Sequence, residues 1–221
     1  MSIGPNLSWI KGKKFKRKIY LIIFLLINLV LAFVYLKNFG RENLILTVLL
    51  GTSFYLFFIT LKDLVKKQNI NFSQKIAHFG FSLLVLSIIL NAVLSKEITI
   101  NLKVGQEIQF NKNKIKFEKI EINEVANYKQ LITFFSISDP KKTILFNPEM
   151  RIYNQPNIMT SEADIKTNLF KDRFLVINLL KDDYEYFNVR YQEKSLMIWI
   201  WISSLLIIYG GLINILGRNE K

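Results

Sequence analysis

Cysteine is absent from this 221-residue chain, and histidine occurs once, at His78. Without cysteine there is no disulfide scaffold, no thiolate metal site and no covalent attachment of a cofactor through a CxxCH motif. Residues 95–194 hold neither cysteine nor histidine. A Ser/His/Asp or Cys/His catalytic set and a His/Cys metal cluster are therefore excluded from that stretch. Its acids are scattered and read as structural or solvated, with Asp182-Asp183 as an exposed turn. Charge is missing elsewhere. Residues 19–36, 44–61, 76–94 and 196–216 contain no Asp, Glu, Lys or Arg.

With 51% hydrophobic residues the chain is too apolar for a disordered tail and for one soluble domain. The four uncharged runs are long enough to cross a bilayer, at roughly 27–31 Å each for a 1.5 Å helical rise. The first is too long for a signal-peptide core, and no small-x-small cleavage site follows it, so it is expected to stay. The net charge of +13 looks like that of a nucleic-acid binder until it is divided by region. Residues 1–18 carry +6 with no acid, residues 37–42 carry +1, residues 62–75 carry +3 and residues 95–194 only +2. The charge lies beside apolar runs, which argues for membrane lipid and against nucleic acid as a partner.

The basic N-terminus and the 62–75 loop are expected on the cytoplasmic side, and the short 37–43 turn outside. Four crossings then return residues 217–221 to the cytoplasm and put residues 95–195 on the outer face. The expected organisation is a basic N-terminus (1–18), a three-helix membrane segment (19–94), a mainly β domain (95–195), a last helix (196–216) and a cytoplasmic tail (217–221). Trp199 and Trp201 fall where an outer aromatic belt belongs, and Trp9 on the inner side.

The outer segment alternates as β structure does. Ile98, Ile100, Leu102 and Val104 share one face, and Ile115 and Phe117 continue the pattern. After Glu118-Lys119 the phase flips to Ile120 and Ile122, which predicts a β-bulge there. Further strands are expected at 130–138, 142–146, 172–180 and 184–191, with turns at 111–114, 139–140 and 154–157. Residues 161–170 read as a short helix, with Ser161 as N-cap and Asp164 at N3.

His78 lies inside the third apolar run, near its cytoplasmic end. An imidazole in lipid must find a partner, so it is either functional or a packing histidine bonded to a neighbouring helix. Neutral imidazole is also a preferred axial ligand of haem iron, and a membrane b haem needs two such ligands where this chain supplies one. Ala77, Gly80, Leu84, Ser87 and Asn91 form a small-residue face on the same helix. Ser203/Gly210 and Ser204/Gly211, repeating at seven residues, form another in the last run. Those faces are expected to receive further helices and would meet lipid in the chain alone. Gly80 serves helix approach, while Ser82 would border a porphyrin held by His78.

Five motifs occur in order: Gly4-Pro-Asn-Leu-Ser-Trp9, Ala77-His78-Phe-Gly80, Pro148-Glu-Met-Arg151-Ile-Tyr153, Ser161-Glu162-Ala-Asp-Ile165, and Val189-Arg190…Lys194…Trp199-Ile-Trp201…Gly210-Gly211. Together they resemble the C-terminal part of the CcmF/NrfE family of cytochrome c maturation haem lyases, over essentially the whole chain. The resemblance implies a membrane helical fold of four spans with a β domain between the third and fourth. It also implies a role in passing haem from the chaperone CcmE to an apocytochrome c, where thioether bonds form. The family's transmembrane b haem is ligated by two histidines, one in the AHxG motif, which maps onto His78.

The resemblance further implies partners: a chain carrying the family's Trp-rich WWD segment, holo-CcmE, CcmH/CcmI-type proteins and apocytochrome c. Arg151, Glu162 and Arg190 are the motif positions expected to face partner or haem. The implied membrane is a bacterial inner membrane, or the mitochondrial one if the source is an organelle, with the β domain periplasmic. The WWD segment and the outer-face histidines of the family are missing, so the chain resembles one half of a divided lyase, inactive alone. Ser195 stands where the family has proline, and Arg173-Phe174 where it has Leu-Tyr; both read as drift. The competing reading is a non-catalytic membrane assembly scaffold whose His78 only packs helices.

Overall fold

The computed structural model describes residues 18–41, 43–65, 71–140, 142–180 and 185–216. The basic segment 1–17, Trp9, Asp182-Asp183 and the 217–221 tail lie outside them. Two compact units are present, residues 195–221 joining residues 1–94 and residues 95–194 forming the second.

The first unit holds four helices, each long and apolar enough to cross a membrane. They are α1 (Lys18–Asn38), α2 (Leu44–Val65), α3 (Phe72–Leu94) and α4 (Met197–Leu216). Helices α2 and α3 run past the uncharged segments to take in Lys62, Asp63, Gln74 and Lys75, because a helix continues to satisfy its backbone beyond the apolar span. Asn43 caps α2, its side-chain oxygen accepting from the backbone N–H of Ile45 at 2.8 Å. Each helix packs on the next, α1 on α2, α2 on α3 and α3 on α4. Between α1 and α2 the buried residues include Asn28, Ala32, Leu36 and Leu50.

Helices α3 and α4 are antiparallel and approach closely at glycine. A Cβ on Gly80 would sit 3.0 Å from the Ser203 carbonyl and the Ile207 nitrogen. One on Gly210 would sit 2.7 Å from the Ser73 carbonyl and 2.8 Å from the Ala77 nitrogen. Small residues let the backbones meet, which is how helices gain van der Waals contact in lipid. This corrects an expectation: the Ala77/Gly80 and Ser203/Gly210 faces consume one another within the chain and are not left for outside helices. The reason is their matched spacing on adjacent antiparallel helices. Gly211 is different, since a Cβ there would have nothing within 4 Å.

The second unit is a β-sandwich of ten strands: β1 (Lys96–Leu102), β2 (Glu107–Phe110), β3 (Asn113–Val125), β4 (Tyr128–Asp139), β5 (Lys142–Phe146), β6 (Glu149–Tyr153), β7 (Met159–Glu162), β8 (Asp164–Thr167), β9 (Lys171–Leu179) and β10 (Phe187–Ser195). One sheet runs β1-β10-β9-β8 and the other β2-β3-β4-β6-β7, with β5 beside the far half of β4. The expected bulge is present, as a register shift between Phe117 and Lys119. The core lies between the sheets. Phe117 stacks on Phe135 at 4.3 Å, edge-on to Phe187, among fully buried Ile115, Phe146, Leu175, Ile177 and Val189. Each such side chain contributes about 1.5–3 kcal/mol by leaving water.

The short helix expected at 161–170 is not formed. Residues 159–162 and 164–167 are strands instead, β7 pairing with β6 and β8 with β9, so that the chain crosses from one sheet to the other. A single capping pattern is outweighed there by ladder bonds on both sides. The last strand also differs, ending at Ser195 and not at 191, and β2, β6, β7 and β8 have no counterpart among the expected strands.

Candidate functional site

His78 is placed by the packing of α3. Ala77 and Gly80 meet α4, whereas Phe79 and Ser82 meet α2: the Phe57 and Phe79 rings are 5.7 Å apart, and the Thr60 and Ser82 hydroxyls are 2.5 Å apart. At 100° per residue, His78 lies about 40° from Ser82 on one side and about 60° from Phe81 on the other. Ser82 is fully buried, and Phe81 is 40% exposed. His78 is therefore half-buried at the edge of the α2–α3 seam, beside an open flank.

Among the described residues its imidazole makes no hydrogen bond. Thr60 and Ser82, the polar groups one turn away, are already bonded to each other and to backbone carbonyls of their own helices. Ser82, expected to border a ring held by His78, is instead enclosed in the seam, because its hydroxyl has a partner on α2. A half-buried imidazole whose nitrogens are unengaged among the described residues, bordering an apolar open flank, fits the donor chemistry of a ligand to haem iron. No cluster of three or more His, Asp or Glu able to hold a metal occurs among the described residues.

The three other candidate residues do not converge on His78. They are dispersed over the sandwich, each in a local ion pair or hydrogen bond. Arg151 on β6 donates to Glu149 at 3.0 Å and lies over the Tyr128 ring, 5.4 Å from its centroid. Its guanidinium is held above the usual range, first by the hydrogen bond to Glu149 and then by one to Tyr153. Glu162 on β7 accepts from Thr160 at 3.2 Å. Arg190 on β10 donates to Glu97 at 3.2 Å, which holds that exposed carboxyl below its usual range.

The residues that sequence reasoning missed are buried charges. Glu193 accepts from Asn113 (2.8 Å), Tyr191 (3.0 Å) and Lys171 (2.8 Å), with the Arg173 Nε at 3.5 Å. Arg173 also reaches Asp139 at 3.5 Å. Arg173 is thus a member of a network that ties both sheets together at one end. The signal was legible: Phe187, Val189, Tyr191 and Glu193 fall on one phase of a strand, so Glu193 must face inward. Burial works to raise the Glu193 carboxyl, but the Lys171 hydrogen bond and charge, with the Tyr191 and Asn113 bonds, hold it below the usual range. Burial and then the Glu193 charge push the Tyr191 hydroxyl up, so it remains a donor.

The other missed feature is the junction before α4. Asn91 on α3 donates to the Ser195 carbonyl at 2.5 Å, and Leu196 adopts a left-handed φ of 59°. The Leu196 carbonyl then accepts from the Trp199 N–H at 3.1 Å, closing the first turn of α4. The side chain of Asn91 and the turn at Leu196 fix the chain direction at Ser195.

Four membrane-spanning helices with a β-sandwich inserted before the last define a multi-pass membrane protein of a distinctive class. Residues 93–195 match the CcmF C-terminal beta-sandwich family. The chain is 26% identical over 157 residues to the probable cytochrome c-type biogenesis protein NrfE of Escherichia coli (strain K12), across 71% of this chain and 28% of that one. It is 22% identical over 243 residues to the cytochrome c-type biogenesis protein CcmF of Haemophilus influenzae, across 100% of this chain and 36% of that one. Its fold matches the solved structure of the cytochrome c heme lyase CcmF with a TM-score of 0.71 at 17% identity, over 96% of this chain and 36% of that chain. The chain carries the CcmF C-terminal domain and corresponds to the C-terminal part of the CcmF and NrfE proteins. It thus spans 28% to 36% of the length of these relatives.

Proposed function

We propose that this chain is the C-terminal subunit of a cytochrome c haem lyase and that His78 is one axial ligand of a membrane-held b haem. The observation that carries the reading is the half-buried imidazole of His78, unbonded among the described residues and set at the edge of the α2–α3 seam. A histidine retained only for packing would bond across to a neighbouring helix, as Ser82 does to Thr60. The second axial ligand comes from a partner chain that also carries the WWD segment. Haem held there supplies a redox-active iron within the membrane.

The substrates of the assembled lyase are haem delivered by CcmE and the reduced thiols of an apocytochrome c presented by CcmH/CcmI-type proteins. Each thioether forms by addition, the sulfur bonding to a haem vinyl carbon and the thiol proton passing to the other carbon. The sandwich stands in the periplasm, and both termini are cytoplasmic, consistent with the +6 N-terminal and +3 loop charges.

The test is maturation in a strain deleted for its haem lyase but keeping the other maturation proteins. This chain is expressed with and without its partner half, and haem-stained cytochrome c is measured. Maturation is expected only with both. Restoration by this chain alone, or none by the pair when both are stably present, would overturn the proposal.

A further inference from the structure

One end of the sandwich gathers both chain connections and three turns. Lys96 pairs with Glu193, so the chain arrives on β1 and leaves on β10 at the same end. The Lys171–Glu193 and Arg173–Asp139 ion pairs and the Asn113–Glu193 bond bring the β8–β9, β4–β5 and β2–β3 turns there too. Both connections to the apolar helices are short. Leu94 to Lys96 is two residues and Glu193 to Met197 is four, at most about 7 Å and 14 Å when fully extended. Two short tethers thus join this end of the sandwich to helices long and apolar enough to cross a bilayer.

The surface presented at this end is suited to that position. The β8–β9 hairpin turns through Asn168, whose side-chain oxygen accepts from the backbone N–H groups of Phe170 and Lys171. That turn projects two large apolar side chains, Leu169 at 57% and Phe170 at 67% exposure. On the adjacent turns Lys112 and Lys142 are exposed, and neither has a carboxylate within ion-pair distance among the described residues. Exposed apolar tips flanked by cations are the composition of an interfacial anchor, not of a solvated loop.

We propose that the Leu169–Phe170 tip of the β8–β9 hairpin inserts into the headgroup region of the bilayer, with Lys112 and Lys142 on its phosphates, so that a phospholipid surface is the occupant of this face. The hairpin then forms a third attachment to the bilayer beside the two covalent tethers. The proposal holds for either orientation of the chain and does not depend on haem.

The full chain, which has no native cysteine, is reconstituted in phosphatidylcholine–phosphatidylglycerol nanodiscs as Phe170→Cys or Leu169→Cys, each labelled with bimane. Asn127→Cys, on the β3–β4 turn at the opposite end of β4 and about 40 Å along the strand, is the reference. Strong quenching by doxyl-labelled lipid and several-fold weaker quenching by aqueous iodide than at position 127 is the expected result at both tip positions. Iodide quenching equal to that at 127 would overturn the proposal. Shielding from iodide without quenching by doxyl lipid would also overturn it, because the tip would then be covered by protein. The two tip variants keep the test open if one of them folds poorly.

Discussion

At the scale of single residues, Glu193 is a charge whose environment is unusually well specified. Its partners come from β3, β9 and β10, so loss of the carboxylate leaves Lys171 and Arg173 facing a buried gap. Removing one member of a buried ion network costs more than a surface pair is worth, and Glu193→Gln is expected to destabilise the sandwich by about 3 kcal/mol at neutral pH. A thermal melt followed by β-sheet circular dichroism checks this. The pH dependence has a defined sign. The folded-state pKa is lowered, so the unfolded chain takes up the proton first. The stabilisation from Glu193 is complete above the ordinary glutamate value of about 4.5 and is lost as pH falls from there through the lower folded-state value. The gap in melting temperature between wild type and Glu193→Gln should therefore narrow in acid. A gap that stayed constant down to about pH 3 would contradict the assignment.

At the scale of elements, adjacent glycines on α4 separate two roles. A methyl at Gly210 meets backbone atoms of α3 at 2.7–2.8 Å, whereas one at Gly211 meets nothing within 4 Å. Gly210→Ala should push α3 and α4 apart and lower thermal stability in detergent, by an amount on the order of an overpacked core site, about 1–3 kcal/mol. Gly211→Ala should be neutral or slightly favourable, since alanine suits a helix better. Equal losses at the two positions would show that the close approach is not the cause. The helices themselves were legible because uncharged runs of that length have few alternatives. So was the bulge, because a phase flip at Glu118-Lys119 is what keeps Ile120 on the same face as Ile115 and Phe117. Strands β7 and β8 were not legible. Their exposed alternation is weak, and what makes them strands is pairing with β6 and β9, which local sequence does not encode. For the site, the histidine was legible as an ionisable group in an apolar run. The enclosure of Ser82 was not, since it depends on which helix lies against that side of α3.

At the scale of the whole molecule, four helices carry one inserted domain, and the charge pattern predicts the side on which that domain stands. Asn127→Cys should react with an impermeant thiol reagent in intact spheroplasts, and Asn219→Cys should not. The opposite result would invert the orientation. The helix faces at Gly80 and Gly210 satisfy one another at α3–α4, so the proposed need for a second chain rests on the haem-ligand reading of His78 and not on these glycine faces. In the proposed reading His78 would supply one ligand to the haem iron. The most direct test is the absorption spectrum of the assembled complex of this chain with its partner half, carrying His78→Ala. Loss or strong weakening of the b-type Soret band and of the pyridine haemochrome yield is the expected result, with both halves still co-purifying. An unchanged Soret band and haemochrome yield in that intact complex would contradict the ligand role of His78, and with it the central reading of this chain.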